Sequence, residues 1–171
     1  MATRHLRLRP IEPADAPRIE RAFSRLSPRT VYLRFLAPIP RIGAAELTRL
    51  TNVDHHHREA IVALDGDEIV GVARYESSSD VGAFQPRRSE VAVVVADAWQ
   101  RRGVGRHLLD ELSALAAARG YDELVCTILV ENHAALALVR SHAPGATMSR
   151  VDNVLEVRIP LTSVRTPGCA A

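Results

Sequence analysis

A run of six residues between a valine-rich stretch and a leucine-rich stretch has the residue types and spacing of an anion-binding turn. It reads Gln100, Arg101, Arg102, Gly103, Val104, Gly105. Residues 89–96 before it predict a strand, and the apolar residues of 103–119 after it recur at helical spacing. Glycines in a strand-to-helix turn let the backbone bend sharply and leave room for an anion. The first free N–H groups of the helix would face that anion, so the run predicts a phosphate or pyrophosphate site.

Two common phosphate-binding patterns do not describe this turn. The dinucleotide-binding pattern requires a third glycine at the position where Leu108 stands. The P-loop pattern requires four residues between its glycines, followed by Lys and Ser or Thr, whereas only Val104 separates Gly103 from Gly105. Taken alone, Gly-x-Gly leaves a nucleotide ligand, or a tight turn with no ligand, as open alternatives.

The hydrophobic pattern predicts the elements that must position this turn. Strands are predicted at 5–11, 59–64, 68–75, 89–96, 124–130, 147–151 and 154–161, and helices at 15–26, 27–36, 43–50, 103–119 and 132–142. Asp65-Gly66 predicts a hairpin, Ser27-Pro28 predicts a helix start, and residues 77–89 predict a polar loop. This order indicates an α/β (α+β) fold with one right-handed β-α-β crossover and helices on both faces of a mixed sheet.

Length and composition limit the classes of protein that the chain can represent. Its 171 residues suit one domain over residues 1–161 and a flexible tail at 162–171. The 22 basic and 20 acidic residues leave a net charge of +2, too balanced to indicate a nucleic-acid partner. An apolar signal core is absent, and so is an 18-residue apolar run, so we expect no membrane segment and a cytoplasmic location. The two cysteines do not suggest a disulfide framework.

Asp54, His55, His56 and His57 form a cluster that raises the question of a metal site. Consecutive histidines point in different directions, and neither cysteine nor a second histidine cluster accompanies them. We therefore expect no metal here, and interpret the segment as a solvated loop near the entrance of the substrate site.

The turn and its surroundings together resemble the GNAT superfamily of N-acetyltransferases. The matching residues are Gln100 to Gly105 after the valine-rich strand and, further on, Glu131, Asn132, Ala135, Leu136 and Leu138. The opening HLRLRPIEPADAPRIERAF is similar to the first strand and helix of the family, and LSPRTVYLRFL is similar to a region of bacterial members that acetylate protein lysines. The resemblance spans roughly residues 4 to 161. It implies a mostly antiparallel twisted sheet of six to seven strands and an acetyl-CoA-dependent N-acetyltransferase.

The resemblance also implies which residues hold the cofactor. Backbone N–H groups of Gln100 to Gly105 would bind the CoA pyrophosphate, and the side chain of Asn132 would bind near the pantetheine arm. The backbone of Val93, Val94 and Val95 would pair with the pantetheine amides like an added strand. A splay between the strands at 89–96 and 124–130 would form the slot for that arm.

Glu90 is the candidate catalytic base, since many members of the family carry a catalytic glutamate at the start of this strand. Strand alternation places Glu90 on one face with Ala92 and Val94. There it would take a proton from the amine acceptor before direct attack on the thioester. The alternative is a strand-end carboxylate paired with Arg87 or Arg88.

One departure from the family pattern concerns the general acid. Val139 stands where the family often has the tyrosine that protonates the leaving thiolate, and Ser141, Cys126 and Tyr121 are weak substitutes. The departure leaves open an acyl-CoA-binding regulatory module with little catalysis. For an enzyme, the acceptor is a primary amine: a protein lysine on the strength of LSPRTVYLRFL, or a small amine or antibiotic. The oligomeric state, monomer or homodimer, is open.

Overall fold

The computed structural model describes residues 6–77 and 86–161, which form a seven-stranded sheet. The strands are β1 (Arg7–Pro10), β2 (Arg58–Asp65), β3 (Glu68–Glu76), β4 (Arg88–Val95), β5 (Glu123–Leu129), β6 (Thr147–Val151) and β7 (Val154–Pro160). Their order across the sheet is β1-β2-β3-β4-β5-β7-β6. Every neighbouring pair is antiparallel except β4 and β5. The predicted mixed, mostly antiparallel sheet is confirmed.

Five α-helices accompany the sheet in the described residues. They are α1 (Ala16–Ser24), α2 (Pro28–Phe35), α3 (Ala44–Thr51), α4 (Val104–Ala118) and α5 (His133–His142). Each predicted strand and helix is present with ends shifted by a few residues. The predicted loop at 77–89 was too long, because Arg88 and Ser89 already pair with β5. Residues 78–85 of that loop and the predicted tail at 162–171 lie outside the described residues.

Local signals in the sequence explain where several elements begin and end. The side chain of Ser27 accepts the backbone N–H of Thr30 at 3.2 Å and so caps α2, as expected from Ser before Pro. Gly66 occupies the β2–β3 turn with φ +61°. Gly120 follows α4 with φ +79°. Both are left-handed conformations that glycine adopts without a steric penalty.

Helices cover both faces of the sheet. Buried residues of α4 and α5 pack on one face with the odd-numbered valines of β4; these residues are Leu108, Leu109, Leu112, Ala116, Leu136, Val139 and Val91, with Val93 and Val95 at the edge. Residues of α1 and α3 pack on the other face with β2 and β3; these are Ile19, Ala22, Leu47, Leu50, Val62, Leu64 and Ile69. β4 therefore separates two different environments.

A glycine in β3 lets α4 approach the sheet closely. A Cβ built on Gly71 would stand 2.9 Å from Leu108 Cδ1 and 3.3 Å from Val104 Cγ1. A methyl group there would force these side chains to shift, so glycine lets the first turns of α4 lie close to β3.

A buried polar chain joins α4 to α5. Ser113 Oγ lies 3.0 Å from His142 Nε2, and His142 Nδ1 lies 2.6 Å from Asp110 Oδ1. The arrangement has the residue types of a hydrolase triad, but Ser113 is 0% exposed, so no substrate can reach it. It satisfies polar groups between two helices. No helix within residues 6–77 and 86–161 is long and apolar enough to span a membrane.

Candidate active site

β4 and β5 separate partway along their length. They pair in parallel only through the three positions that end with Glu90 opposite Val125. Beyond them, β4 continues to Val95 along β3, and β5 continues to Leu129 along β7. The two strands therefore leave a slot between their C-terminal halves. The predicted splay is confirmed by this register.

Backbone groups of β4 alternate between β3 and the slot. The N–H of Ala96 donates to the carbonyl oxygen of Val70 at 2.9 Å. Even-numbered residues, Val94 included, therefore turn their backbone groups toward β3. Val93 and Val95 turn theirs toward the slot, where an extended ligand can pair with them. The predicted contacts of Val93 and Val95 stay predictions, and the Val95 carbonyl oxygen already accepts Gln100 Nε2 at 3.1 Å. The predicted contact of Val94 does not fit the structure, because its backbone groups face β3.

The turn between β4 and α4 gathers free backbone N–H groups. Arg101 and Gly103 have φ of +58° and +81°. The first backbone hydrogen bond of α4 runs from His107 N–H to Gly103 O at 3.0 Å. The N–H groups of the three preceding helical residues, 104 to 106, have no partner within the helix. Left-handed residues alternating with ordinary ones make a concave nest of N–H groups that favours an anion.

Two polar side chains near this turn bind α2. The Asp97 carboxylate accepts the backbone N–H of Ser27 at 3.0 Å, Ser27 Oγ at 2.7 Å and Thr30 Oγ1 at 2.8 Å. Burial alone would raise the pKa of Asp97, but these hydrogen bonds outweigh it and hold the pKa below its ordinary value. Gln100 Nε2 donates to Val95 O at 3.1 Å and to Thr30 Oγ1 at 3.3 Å. The backbone N–H of Gln100 donates to Asp97 O at 3.3 Å, so both this N–H and the side-chain donor of Gln100 already have protein partners.

Asn132 begins α5 just beyond the end of β5. Its Oδ1 accepts the backbone N–H of Ala135 at 3.1 Å, so its side chain caps the helix. Its Nδ2 finds no protein acceptor among the described residues. The amide oxygen thus fixes the side chain, and the amide nitrogen remains to donate to a ligand.

Glu90 stands where β4 and β5 part. It is exposed, and it lies opposite Glu76 of β3 on the face shared with Ala92 and Val94. Its charge acts on Arg34 of α2: burial lowers the pKa of Arg34, and Glu90 partly offsets that effect. Glu90 is therefore accessible to solvent and close to the second helix.

The arginines beside Glu90 bind other partners. Arg88 Nε donates to Glu123 Oε2 at 2.7 Å. Arg87 Nη1 donates to the carbonyl oxygens of Arg119 and Gly120 at 3.1 and 3.3 Å. The alternative in which Glu90 pairs with Arg87 or Arg88 is not what the structure shows.

The proposed substitutes for the family tyrosine are poorly placed as acids. Val139 itself is buried in the α4–α5 core. Burial, with a smaller effect from Glu90, raises the pKa of Cys126 to about 12. The Tyr121 hydroxyl lies 2.7 Å from a serine hydroxyl, and Ser141 Oγ donates to a carbonyl of its own helix at 2.9 Å. None of these three side chains is therefore well placed as the acid that the family resemblance implies.

A cleft lies on the opposite face of β4 from α4. It encloses about 670 Å³, its open mouth included. Ala92 and Val94 form its floor together with β3, and α1 and α2 supply apolar walls; the wall residues include Ile19, Ala22, Phe23, Leu26 and Phe35. Its mainly apolar lining is typical of small-molecule sites.

Two arginines interrupt this apolar lining. Burial, followed by repulsion from Arg49, lowers the pKa of Arg74 to about 10, and burial likewise lowers the pKa of Arg34. Both remain charged at neutral pH. Nearby Glu46 and Glu76 are bound to Arg49, at 2.9 and 2.8 Å. The cleft therefore presents two desolvated cations at the end nearest Glu90.

The arrangement suits a group-transfer enzyme with two substrates. A phosphate-bearing ligand can lie along the open edge of β4 with its anion at the start of α4, while a second substrate enters from the opposite face of the sheet. The comparisons specify the class. The family model described as acetyltransferase (GNAT) family matches residues 26–143, and the chain belongs to that family.

Individual relatives agree with this assignment. An acetyltransferase of Pseudomonas aeruginosa is 32% identical over 135 residues, which cover 77% of this chain and 70% of that protein. The GNAT domain of PAT from S. lividans is 30% identical with a TM-score of 0.82, covering 91% of this chain and 90% of that one. The yncA structure from Salmonella typhimurium, which holds its cofactor acetyl-CoA, covers 96% and 99% with a TM-score of 0.74. Its identity of 19% shows the shared fold alone.

Sequence reasoning missed two features of the site. Hydrogen bonds from Ser27 and Thr30 to Asp97 join α2 to the turn, although a Ser-x-x-Thr start and a strand-end Asp are visible in the sequence. The pairing of Arg34 with Arg74 in the cleft has no sequence signal, because 22 scattered arginines give no reason to select these two.

Proposed function

We propose that this acetyltransferase binds acetyl-CoA along β4 and transfers the acetyl group directly to a primary amine. The observation that supports it is the separation of β4 from β5 beyond Glu90, beside a turn with two left-handed residues and the unpaired helix N–H groups of residues 104 to 106. The open edge of β4 matches the amide-bearing arm of CoA, and the anion-binding turn that follows it matches the pyrophosphate.

The residues of the slot fit CoA in chemical type. Val93 offers a backbone donor and acceptor, and Asn132 Nδ2 offers a donor at the opposite wall. The exposed Arg101 and Arg102 add positive charge around the turn, and Arg102 is held over the Trp99 ring with its Cζ 5.3 Å from the ring centroid. When bound, acetyl-CoA supplies the activated thioester.

Glu90 is proposed as the base. An amine with a pKa of about 10.4 is mostly protonated at neutral pH, which costs about 4–5 kcal/mol to reverse. Glu90 takes the amine proton, directly or through water. The nitrogen then bonds to the acetyl carbonyl carbon, the C–S bond breaks, and the nitrogen releases its second proton to solvent. The CoA thiolate takes a proton from solvent. A thiolate leaves without acid assistance more readily than an alkoxide, so Val139 does not exclude turnover.

Two acceptor classes are supported by different observations. The LSPRTVYLRFL segment spans α2, and the backbone N–H of its Ser27 donates to Asp97. Through the family resemblance, this segment supports a protein lysine as the acceptor. The apolar lining of the cleft supports a small amine. A regulatory CoA-binding module remains the alternative to either.

Turnover is tested by CoA release with a panel of amines and lysine-containing proteins. Glu90→Gln should lower kcat/KM by about 10²- to 10⁴-fold and leave CoA affinity unchanged. Glu111→Gln, an exposed site on α4, is the matched control and should behave as wild type. The sequence contains no lysine, so acetyl-lysine detected by mass spectrometry must come from the added protein. Equal turnover by wild type and Glu90→Gln would refute the assignment of Glu90 as the base. Saturable CoA binding with no turnover on any acceptor would favour the regulatory CoA-binding module.

A further inference from the structure

Arg74 is an unusual residue for the floor of an apolar cleft. Its β3 position directs it to the face shared with Ala92, and the residue is only 8% exposed. Its Nη2 atom is buried without a hydrogen-bond partner among the described residues. The nearest carboxylate oxygen, Glu76 Oε2, is 4.0 Å away and beyond hydrogen-bond range.

Arg34 approaches the same cleft from α2. It lines the cleft, and its guanidinium Cζ stacks 4.7 Å from the centroid of its neighbour Phe35. Neither guanidinium, that of Arg34 or that of Arg74, takes part in a hydrogen bond within residues 6–77 and 86–161. Glu76 Oε2 attracts Arg74 only from 4.0 Å, because the same oxygen accepts a hydrogen bond from Arg49 Nη1 at 2.8 Å.

Such a pair is costly to the free protein. An arginine removed from water without a hydrogen-bonded anion loses solvation that nothing replaces. An apolar residue of similar size would fill the same space at β3 without that loss. The pair gains its partner only when an anion enters the cleft, and a planar guanidinium suits a carboxylate.

The sheet register places this pair beside the proposed base. Arg74 lies opposite Ala92, and Glu76 lies opposite Glu90. Arg74 and Glu90 are therefore diagonal neighbours on one face, separated by about 7–8 Å, within reach of long side chains. A molecule with adjacent ammonium and carboxylate groups can meet Glu90 with the first and Arg74 with the second, and its apolar part can fill the rest of the cleft.

We infer that the acceptor is a small amino acid with an apolar side chain, whose carboxylate is held by Arg74 and Arg34. This inference rests on the proposed function and selects the small amine over the protein lysine. Arg74 and Arg34 are then residues that determine specificity, and Glu90 keeps its role as base.

The test compares amino acids with amines that differ only by the carboxylate. L-Leucine is paired with isopentylamine, and L-phenylalanine with phenethylamine, in the CoA-release assay. Wild type should prefer the amino acid of each pair by at least about 10-fold in kcat/KM. Arg74→Met should abolish the preference, and Arg74→Lys should keep part of it. Arg25→Gln on the exposed end of α1, where Arg25 pairs with Glu68, is the control and should retain the full preference.

A second measurement covers the possibility that the variant does not fold. Arg74→Met should raise the melting temperature of the free protein, because it removes a buried charge whose Nη2 atom has no hydrogen-bond partner. Isocaproate, leucine without its amine, should inhibit wild type competitively against the amino acid and should not inhibit Arg74→Met.

Equal turnover of the amino acid and its decarboxylated partner would overturn the inference while leaving the proposed function intact. So would a protein lysine that wild type and Arg74→Met acetylate equally well. Absence of turnover on every acceptor would instead contradict the proposed function.

Discussion

Gly103 gives the most direct test of the anion nest. Its φ of +81° suits glycine, and a Cβ built there would meet nothing closer than His107 Cε1 at 4.0 Å. Gly103→Ala therefore creates no clash, and its cost is conformational, about 1–2 kcal/mol. If the free turn relaxes, CoA binding must restore the conformation and Kd rises about 5- to 30-fold. If the turn keeps its conformation, the same cost appears as a lower Tm, by about 2–8 °C.

Two other glycines make matched controls. Gly66 has a similar φ of +61° and open space around it, but it lies in the distant β2–β3 turn. Gly66→Ala should cost similar stability without changing the Kd for CoA. Gly105 lies within α4, where a Cβ would meet Leu138 Cδ2 at 3.4 Å and Val95 Cγ2 at 3.6 Å, ordinary contacts. Gly105→Ala should keep the protein as stable as wild type, so any loss of affinity there reports the close approach of the ligand.

The assay is calorimetric titration with CoA beside thermal unfolding in the presence and absence of CoA. The unfolding free energy of the CoA-saturated Gly103→Ala protein should fall by about 1–2 kcal/mol in total, however it divides between fold and binding. An unchanged Tm together with an unchanged Kd would refute the nest. A loss of CoA affinity in Gly66→Ala as large as in Gly103→Ala would show that the effect is global.

Two further predictions concern the supports of the site. Asp97→Ala removes the carboxylate that accepts the hydrogen bonds from Ser27 and Thr30. We expect about 1–2 kcal/mol less stability and a higher KM for the amine substrate, with CoA affinity retained. An unchanged Tm and an unchanged KM would contradict this prediction. Burial lowers the pKa of His142 despite its contact with Asp110, so the unfolded chain binds its proton more readily. Stability should therefore fall as pH drops below about 6.5, the ordinary histidine pKa. Urea unfolding of wild type and His142→Gln from pH 7.5 to 5.5 tests it, and equal pH slopes would contradict it.

Much of the framework was predictable because local chemistry specified it. The Ser27 cap, the Gly66 turn and the strand-to-helix turn at Gly103 follow from what single residues allow the backbone to do. Alternation correctly separated the face of Glu90 from that of Val91, since side chains change sides at every strand residue. The roles of Glu90 and of the turn in binding and catalysis stay predictions.

The tertiary structure decided which backbone and side-chain groups of these elements remain available to a ligand. Periodicity reports the face of a residue but not how far two strands stay paired, so only the register shows that β4 leaves β5 beyond Glu90. The register also shows that the backbone of Val94 faces β3. The side-chain hydrogen bonds show that Gln100 Nε2 donates to Val95 and Thr30. The sequence by itself determined the elements and the turn that joins β4 to α4. The meeting of Arg34 with Arg74, 40 positions apart, needed the packing of α2 on the sheet, because such contacts depend on the whole fold rather than on local backbone preference.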